Sequence, residues 1–212
     1  MTSPPSLLIR ACLLASVLWS IALVPSLFAQ SSTSLRVDQV RFLLERSPYG
    51  GKPWLEMEIE VEVRGNVAPA AANPDFVDDL EVEVAMAQNL GTSERPRLEY
   101  FWTRIEIPTL ERGTNRLRFY LPPEQVERGR IINDDPYAWY VRIAQKQTSS
   151  GAAEVFAVSA NLREQTRLHR FLELLDEQKA SRSGILLPQP ETPFRDAYPD
   201  DTPSIKGQDR NE

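Results

Sequence analysis

Apolar and acidic residues alternate over Met57–Val63, where Met57, Ile59, Val61 and Val63 interleave with Glu58, Glu60 and Glu62. Trp54, Leu55 and Glu56 lead into this run, with a phase step after Leu55. Successive side chains on a strand point to opposite faces, so a period of two makes one face apolar and the other a row of carboxylates. A helix would spread those glutamates around its circumference and bury some of them. The pattern predicts a strand with one wet face, the habit of antiparallel sheets.

The same grammar recurs on both sides of it. Leu35–Arg46 reads as a first strand with a bulge or phase change in its middle, and residues 47–53 hold the turn formers of a hairpin loop. Residues 65–74 form a connection. Leu80, Val82, Val84 and Met86 share one face of a strand over 80–87. Residues 97–107 carry Leu98, Tyr100, Trp102 and Ile105 and should stop at Pro108. After a turn at Gly113, Leu117, Phe119 and Leu121 alternate with Arg116, Arg118 and Tyr120, and Pro122 and Pro123 end that strand. Residues 124–133 suit a short helical turn. Tyr137, Trp139, Val141 and Ile143 mark a strand over 137–146, and 154–160 supplies the seventh. Seven strands at this spacing predict an all-β fold, an immunoglobulin-like antiparallel β-sandwich. The Cys…Trp…Cys signature of true immunoglobulin domains is absent, so the expectation concerns architecture alone.

At Asn161 the period changes. Leu168, Phe171, Leu172 and Leu175 recur at three- and four-residue spacing, which predicts an amphipathic helix over 161–184. Asn161 and Glu164 have capping-box spacing, and Gly184 suits the far end. Residues 185–212 hold five prolines and six acidic against three basic residues, with no periodicity, which predicts a disordered tail.

Composition adds the compartment. Ala11–Val24 is an apolar run preceded by Arg10 and closed by Pro25–Ala29, the pattern of a secretory signal peptide cut after Ala29. The rival is an uncleaved anchor over 11–29, which only just spans a bilayer. Cleavage removes Cys12, the one cysteine of the 212-residue chain. Disulfides and thiolate metal sites are then excluded, and no stable membrane insertion is expected. The expected organisation is a signal peptide (1–29), a sandwich (30–160), a helix (161–184) and a tail (185–212), in a protein of the periplasm, cell surface or exterior. The formal charge of −6, with no extended basic run, argues against nucleic acid.

Candidate chemistry is thin. Glu56, Glu58, Glu60 and Glu62 sit roughly 6.5–7 Å apart along one strand face, which overlaps the carboxyl separations of glycoside hydrolases. Any Glu-x-Glu strand qualifies, however, and a catalytic acid needs burial to raise its pKa. A solvated face crossed by Arg104, Arg116, Arg118 or Arg142 is the simpler reading, since cross-strand ion pairs are common. His169 is the only histidine and builds no triad or two-histidine metal site. Asp75, Asp78, Asp79, Asp134 and Asp135 are loop acids lacking a calcium-loop pattern. Trp54, Trp102, Trp139, Tyr100, Tyr137 and Phe119 mostly suit core packing, with Trp102 and Tyr140 the ones to inspect for exposure. No catalytic residue, cofactor or metal is expected. The candidate contact residues are Leu168, Phe171, Leu172 and Leu175 on the helix, with Trp102 and Tyr140; a stripe left uncovered by its own domain would mark an interaction site.

Three blocks carry a resemblance: Asn73-Pro74-Asp75-Phe76-Val77-Asp78-Asp79-Leu80-Glu81-Val82, Arg118-Phe119-Tyr120-Leu121-Pro122-Pro123-Glu124 and Asp135-Pro136-Tyr137-Ala138-Trp139-Tyr140. With Leu110-Glu111-Arg112-Gly113 they resemble secreted pilus-like proteins of Verrucomicrobia over roughly residues 35–160. That resemblance implies a small exported β-sandwich tied to a type IV pilus-like system, with no catalytic residues. It implies envelope or pilus-like assembly proteins as partners, the chain itself included. Ordinary pilins keep a long apolar N-terminal helix after a short basic leader, whereas the apolar run here looks cleaved, so an accessory or surface role fits better. The expectation is an exported, non-enzymatic structural or adhesion module. The alternatives are a glycan-binding or glycan-cleaving protein and a periplasmic adaptor that docks a partner through its C-terminal helix.

Overall fold

The computed structural model describes residues 34–66, 73–92, 95, 97–129, 135–146, 154–182, 184–199 and 201–206. The expected signal peptide, Asp134 and the last six residues of the tail lie outside the described residues. Among the described residues eight strands form two four-stranded antiparallel sheets. The strands are β1 (Leu35–Arg46), β2 (Pro53–Val63), β3 (Phe76–Asn89), β4 (Leu98–Glu111), β5 (Gly113–Leu121), β6 (Ala138–Gln145), β7 (Glu154–Val158) and the two-residue β8 (Leu187–Pro188). Helix α1 spans Pro123–Gly129 and α2 spans Gln165–Arg182. One sheet has the order β1-β2-β5-β8 and the other β4-β3-β6-β7. This is an all-β sandwich with a C-terminal helix. Its first seven strands are distributed as A, B and E in one sheet and C′, C, F and G in the other, the immunoglobulin-like arrangement.

The core lies between the sheets and follows the alternation. Leu55, Met57, Ile59, Val61 and Val63 of β2 face Leu80, Val82, Val84 and Met86 of β3, all buried. Leu117, Phe119 and Leu121 of β5 join from one sheet, and Phe101, Ile105 and Ile107 of β4 with Val141 and Ile143 of β6 from the other. The bulge expected in β1 is a register shift between Val37 and Gln39.

Three departures have physical causes. Strand β2 has no phase step: Leu55 keeps the inward phase, and Trp54 shares the outer face with the glutamates. Strand β4 does not stop at Pro108 but continues to Glu111, because β4 is an edge strand and an edge tolerates a residue with no N–H to donate. Between the paired levels Asp78–Thr109 and Leu80–Ile107, Asp79 takes φ of 54°, and its carbonyl accepts the Lys146 amide at 2.7 Å. Asn161 does not cap the helix. Its amide donates to the Tyr137 carbonyl at 2.6 Å, residues 160–162 form a 3-10 turn, and α2 begins at Gln165.

The largest departure is the tail. The tail was expected to be disordered, yet its residues 185–199 and 201–206 lie against the outer face of the β1-β2-β5 sheet. Leu186 is fully buried in the main core, with Ile185 and Ile205 packed against it. Gln189, 1% exposed, organises the segment: its amide nitrogen donates to the carbonyls of Phe194 (3.1 Å) and Ala197 (2.5 Å), and its amide oxygen accepts from Thr202 Oγ1 (2.9 Å). At the far end Lys206 pairs with Glu106 of β4, its amide donating at 2.9 Å. The segment thus runs from the β5 edge over the sheet face to the β4 edge, a strap rather than a tail.

Candidate functional site

The acidic row of β2 is the first place to look for chemistry. Register sets its partners. Arg41, Glu58 and Arg118 are level with one another across β1, β2 and β5, Glu60 is opposite Arg116, and Glu56 is opposite Tyr120. Arg118, with its side chain 3% exposed, donates to Glu58 Oε2 from Nη2 at 2.8 Å and from Nε at 3.1 Å. Its Nε also lies 3.4 Å from Glu56 Oε1. Arg41 completes the rung from the other side, hydrogen-bonded to Glu58.

The strap closes this ladder. Phe194 stacks on Tyr120 at 4.5 Å between centroids and meets Trp54 edge-on at 6.0 Å. The Tyr198 ring covers the Arg118 guanidinium at 4.2 Å, and Asp201 pairs with Arg116 at 3.1 Å. Tyr198 holds φ of 60°, a region that costs a non-glycine residue on the order of 1–3 kcal/mol and persists where surrounding contacts fix it. The face expected to be solvated is therefore roofed over Glu56 and Glu58, while Glu60 and Glu62 stay half-buried.

Burial pushes the Glu56 carboxyl above the ordinary glutamate range, and the facing Tyr120 phenol and Arg118 hold it back only in part. Tyr120 is pushed up in turn, first by its own burial and then by the Glu56 charge. Glu56 and Tyr120, level across β2 and β5, thus act on each other in a buried setting. These two carboxylates converge on an arginine and not on an open cleft. Arg104 and Arg142, expected beside the β2 glutamates, belong to the other sheet and pair there with Glu81 at 3.7 and 3.3 Å.

A concave feature lies on the opposite side of the sandwich, where α2 packs on the outer face of the β4-β3-β6 sheet. Small residues Ala85, Ala87 and Ala138 let the helix approach, and Phe171 meets Tyr100 at 5.3 Å. Beside this contact a groove of about 410 Å³ opens along the first turns of α2. Its floor is Leu98, Tyr100, Ala138, Leu162, Phe171 and Leu174, and its rim is Tyr137, Asn161, Thr166, Arg167 and Arg170. Burial pushes the Tyr100 phenol up, with the nearby Arg170 charge acting against it.

The sequence-named contact residues are divided by this packing. Phe171 and Leu175 are buried between helix and sheet, as is Tyr140, while Leu168, Leu172 and Trp102 are half-buried against the same cluster. The domain itself thus covers much of the stripe. His169 is exposed on α2, 3.3 Å from Glu173. Asp75 pairs with Arg112 at 3.5 Å, and among the described residues no group of three or more His, Cys, Asp or Glu is arranged to hold a metal ion. Among the described residues no helix is long and apolar enough to cross a membrane. Leu174, Arg167 and Arg170 were not singled out by sequence, and Leu98 was named only as an apolar strand residue. Their signal was the pair of arginines at i and i+3 beside the leucine stripe, legible only once the helix had a face to lie on.

Fold and surface together define an immunoglobulin-like sandwich clad on one face by a strap and on the other by a helix. A solved structure from Akkermansia muciniphila is similar, with a TM-score of 0.57 at 18% identity, covering 82% of this chain and 92% of that one. The similarity is one of fold. No protein-family profile matches the chain, and no curated protein matches it by sequence.

Proposed function

We propose that this protein is an exported, non-catalytic module of the cell envelope that works through protein–protein contacts in a pilus-like assembly. One observation carries the reading. The carboxylates whose spacing alone suited hydrolysis are engaged by Arg118 beneath the strap, while the groove along α2 is apolar-floored and rimmed by tyrosine and arginine. Tyrosine and arginine around an apolar centre are the composition of interface hot spots. The resemblance of residues 35–160 to verrucomicrobial pilus-like proteins supports it, as does a similar fold in a verrucomicrobial bacterium.

The test is fractionation of the producing organism with an antibody to the native protein, before and after mechanical shearing of the cells. The expected result is a mature form beginning near Gln30 in the envelope fraction, released with sheared filaments. Recovery in the cytosol would sink the reading. So would glycan hydrolysis by the purified protein that Glu58→Gln abolishes.

A further inference from the structure

We propose that the groove along α2 is a docking site for an acidic, apolar-anchored segment of a partner protein: a leucine or aromatic side chain seated on Leu98, Phe171 and Leu174, with an adjacent carboxylate held by Arg167 or Arg170. This rests on the reading of the protein as an assembly module and names the chemistry of its partner. Shape and lining come first. A groove of about 410 Å³ falls within the range of sites that seat a ligand group, roughly 300–1,000 Å³, and its apolar floor with few polar rim groups is the usual composition of such a site.

Charge selects the occupant. In a chain of net charge −6, the polar edge of this groove carries two guanidinium groups, their side chains 66% and 63% exposed. Arg167 meets Glu164 through Nε at 3.0 Å and Arg170 meets Glu173 through Nη1 at 3.2 Å, both pairs lying between exposed side chains. Exposed pairs of this kind contribute little and exchange readily for a better-placed carboxylate. Tyr137, 44% exposed, adds a stacking edge at the groove mouth. A basic segment would compete with the arginines for Glu164 and Glu173, and a purely apolar one would make no use of the exposed guanidinium groups.

The experiment selects phage-displayed random decapeptides on the purified full chain, then titrates the recovered sequences as fluorescein-labelled peptides by anisotropy. The expected outcome is enrichment of leucine or aromatic residues next to aspartate or glutamate. Binding should weaken about tenfold or more in the double variant Arg167→Glu, Arg170→Glu and persist in Arg112→Glu, which reverses an exposed charge just beyond the opposite end of β4. Both rim arginines are solvent-exposed, so the double variant should keep the wild-type circular dichroism spectrum and melting temperature. No enrichment, enrichment of basic residues, or undiminished binding by the double variant would each overturn the proposal. Concentration-dependent dimerisation dissolved by the same double substitution would do so too, by making a second copy the occupant. Selection reads the chemistry of the groove and fractionation reads the location of the protein, so either can fail without the other.

Discussion

Arg118 places a guanidinium almost out of reach of water, its side chain 3% exposed. Its neighbours decide whether that is tolerable: two carboxylates, a Tyr198 ring and Thr202 Oγ1 at 3.4 Å. Arg118→Met keeps the apolar bulk and removes the charge, leaving Glu56 without its arginine and Glu58 with Arg41 alone. The expected loss is about 3–5 kcal/mol in urea unfolding, the usual result of stranding a buried charge. Adding Glu58→Leu and Glu56→Gln should recover much of it, since a buried ionic cluster whose charges are all removed together is often neutral. Glu56 gives a pH test. Its carboxyl is raised in the folded state, chiefly by burial, so its contribution favours folding fully below the ordinary glutamate value and is lost as pH rises through the elevated one. Glu56→Gln removes that dependence. The variant should gain stability over wild type at pH 7, and the gap should close as pH falls through the carboxylate range. A gap that stays constant from pH 7 to pH 4 would contradict it.

The strap shows what kind of element a periodicity reading misses. Strands β1–β7 were legible because each repeats an alternation that one buried face imposes, and even the bulge in β1 left its trace in sequence. Residues 185–206 repeat nothing: a two-residue strand, a 3-10 turn and a chain of side-chain to backbone bonds centred on Gln189. Composition averages Leu186 and Phe194 with five prolines and reports disorder, although those two side chains are buried. Cohesion here comes from partners far away in sequence, Tyr120 and Trp54 above all. For α2 the leucine stripe was legible, but its destination was not. The hint was small residues, Ala85 and Ala87, on the outward face of β3. Phe194→Ala should therefore cost about 3–5 kcal/mol, the range for deleting a buried phenylalanine. Limited proteolysis should find the wild-type strap resistant and the variant cleaved within residues 185–206; equal resistance would show that Phe194 does not hold it down.

At the scale of the whole molecule the four layers, strap, sheet, sheet and helix, share residues and not just surfaces. Leu186 of the strap belongs to the core between the sheets, and Tyr100 of β4 anchors the helix from the back of a strand whose other face lines that core. No covalent link supports this: the one cysteine, Cys12, has no partner in the chain for a disulfide. Cohesion must come from packing, and shared residues make packing cooperative. Three tryptophans report on the layers separately. Trp54 lies under the strap, Trp102 packs with the helix cluster, and Trp139 packs against the central core. Variants that keep one of these three, with the other two changed to phenylalanine, should each show a single urea transition. Its midpoint by fluorescence should coincide with that by far-ultraviolet circular dichroism in the same variant, with or without reductant. An independent strap would shift the Trp54 signal to lower urea than the rest, and an independent helix would do the same for Trp102. Coincidence is expected because lifting the strap uncovers Leu186 at the edge of the central core, so its opening cannot stay local.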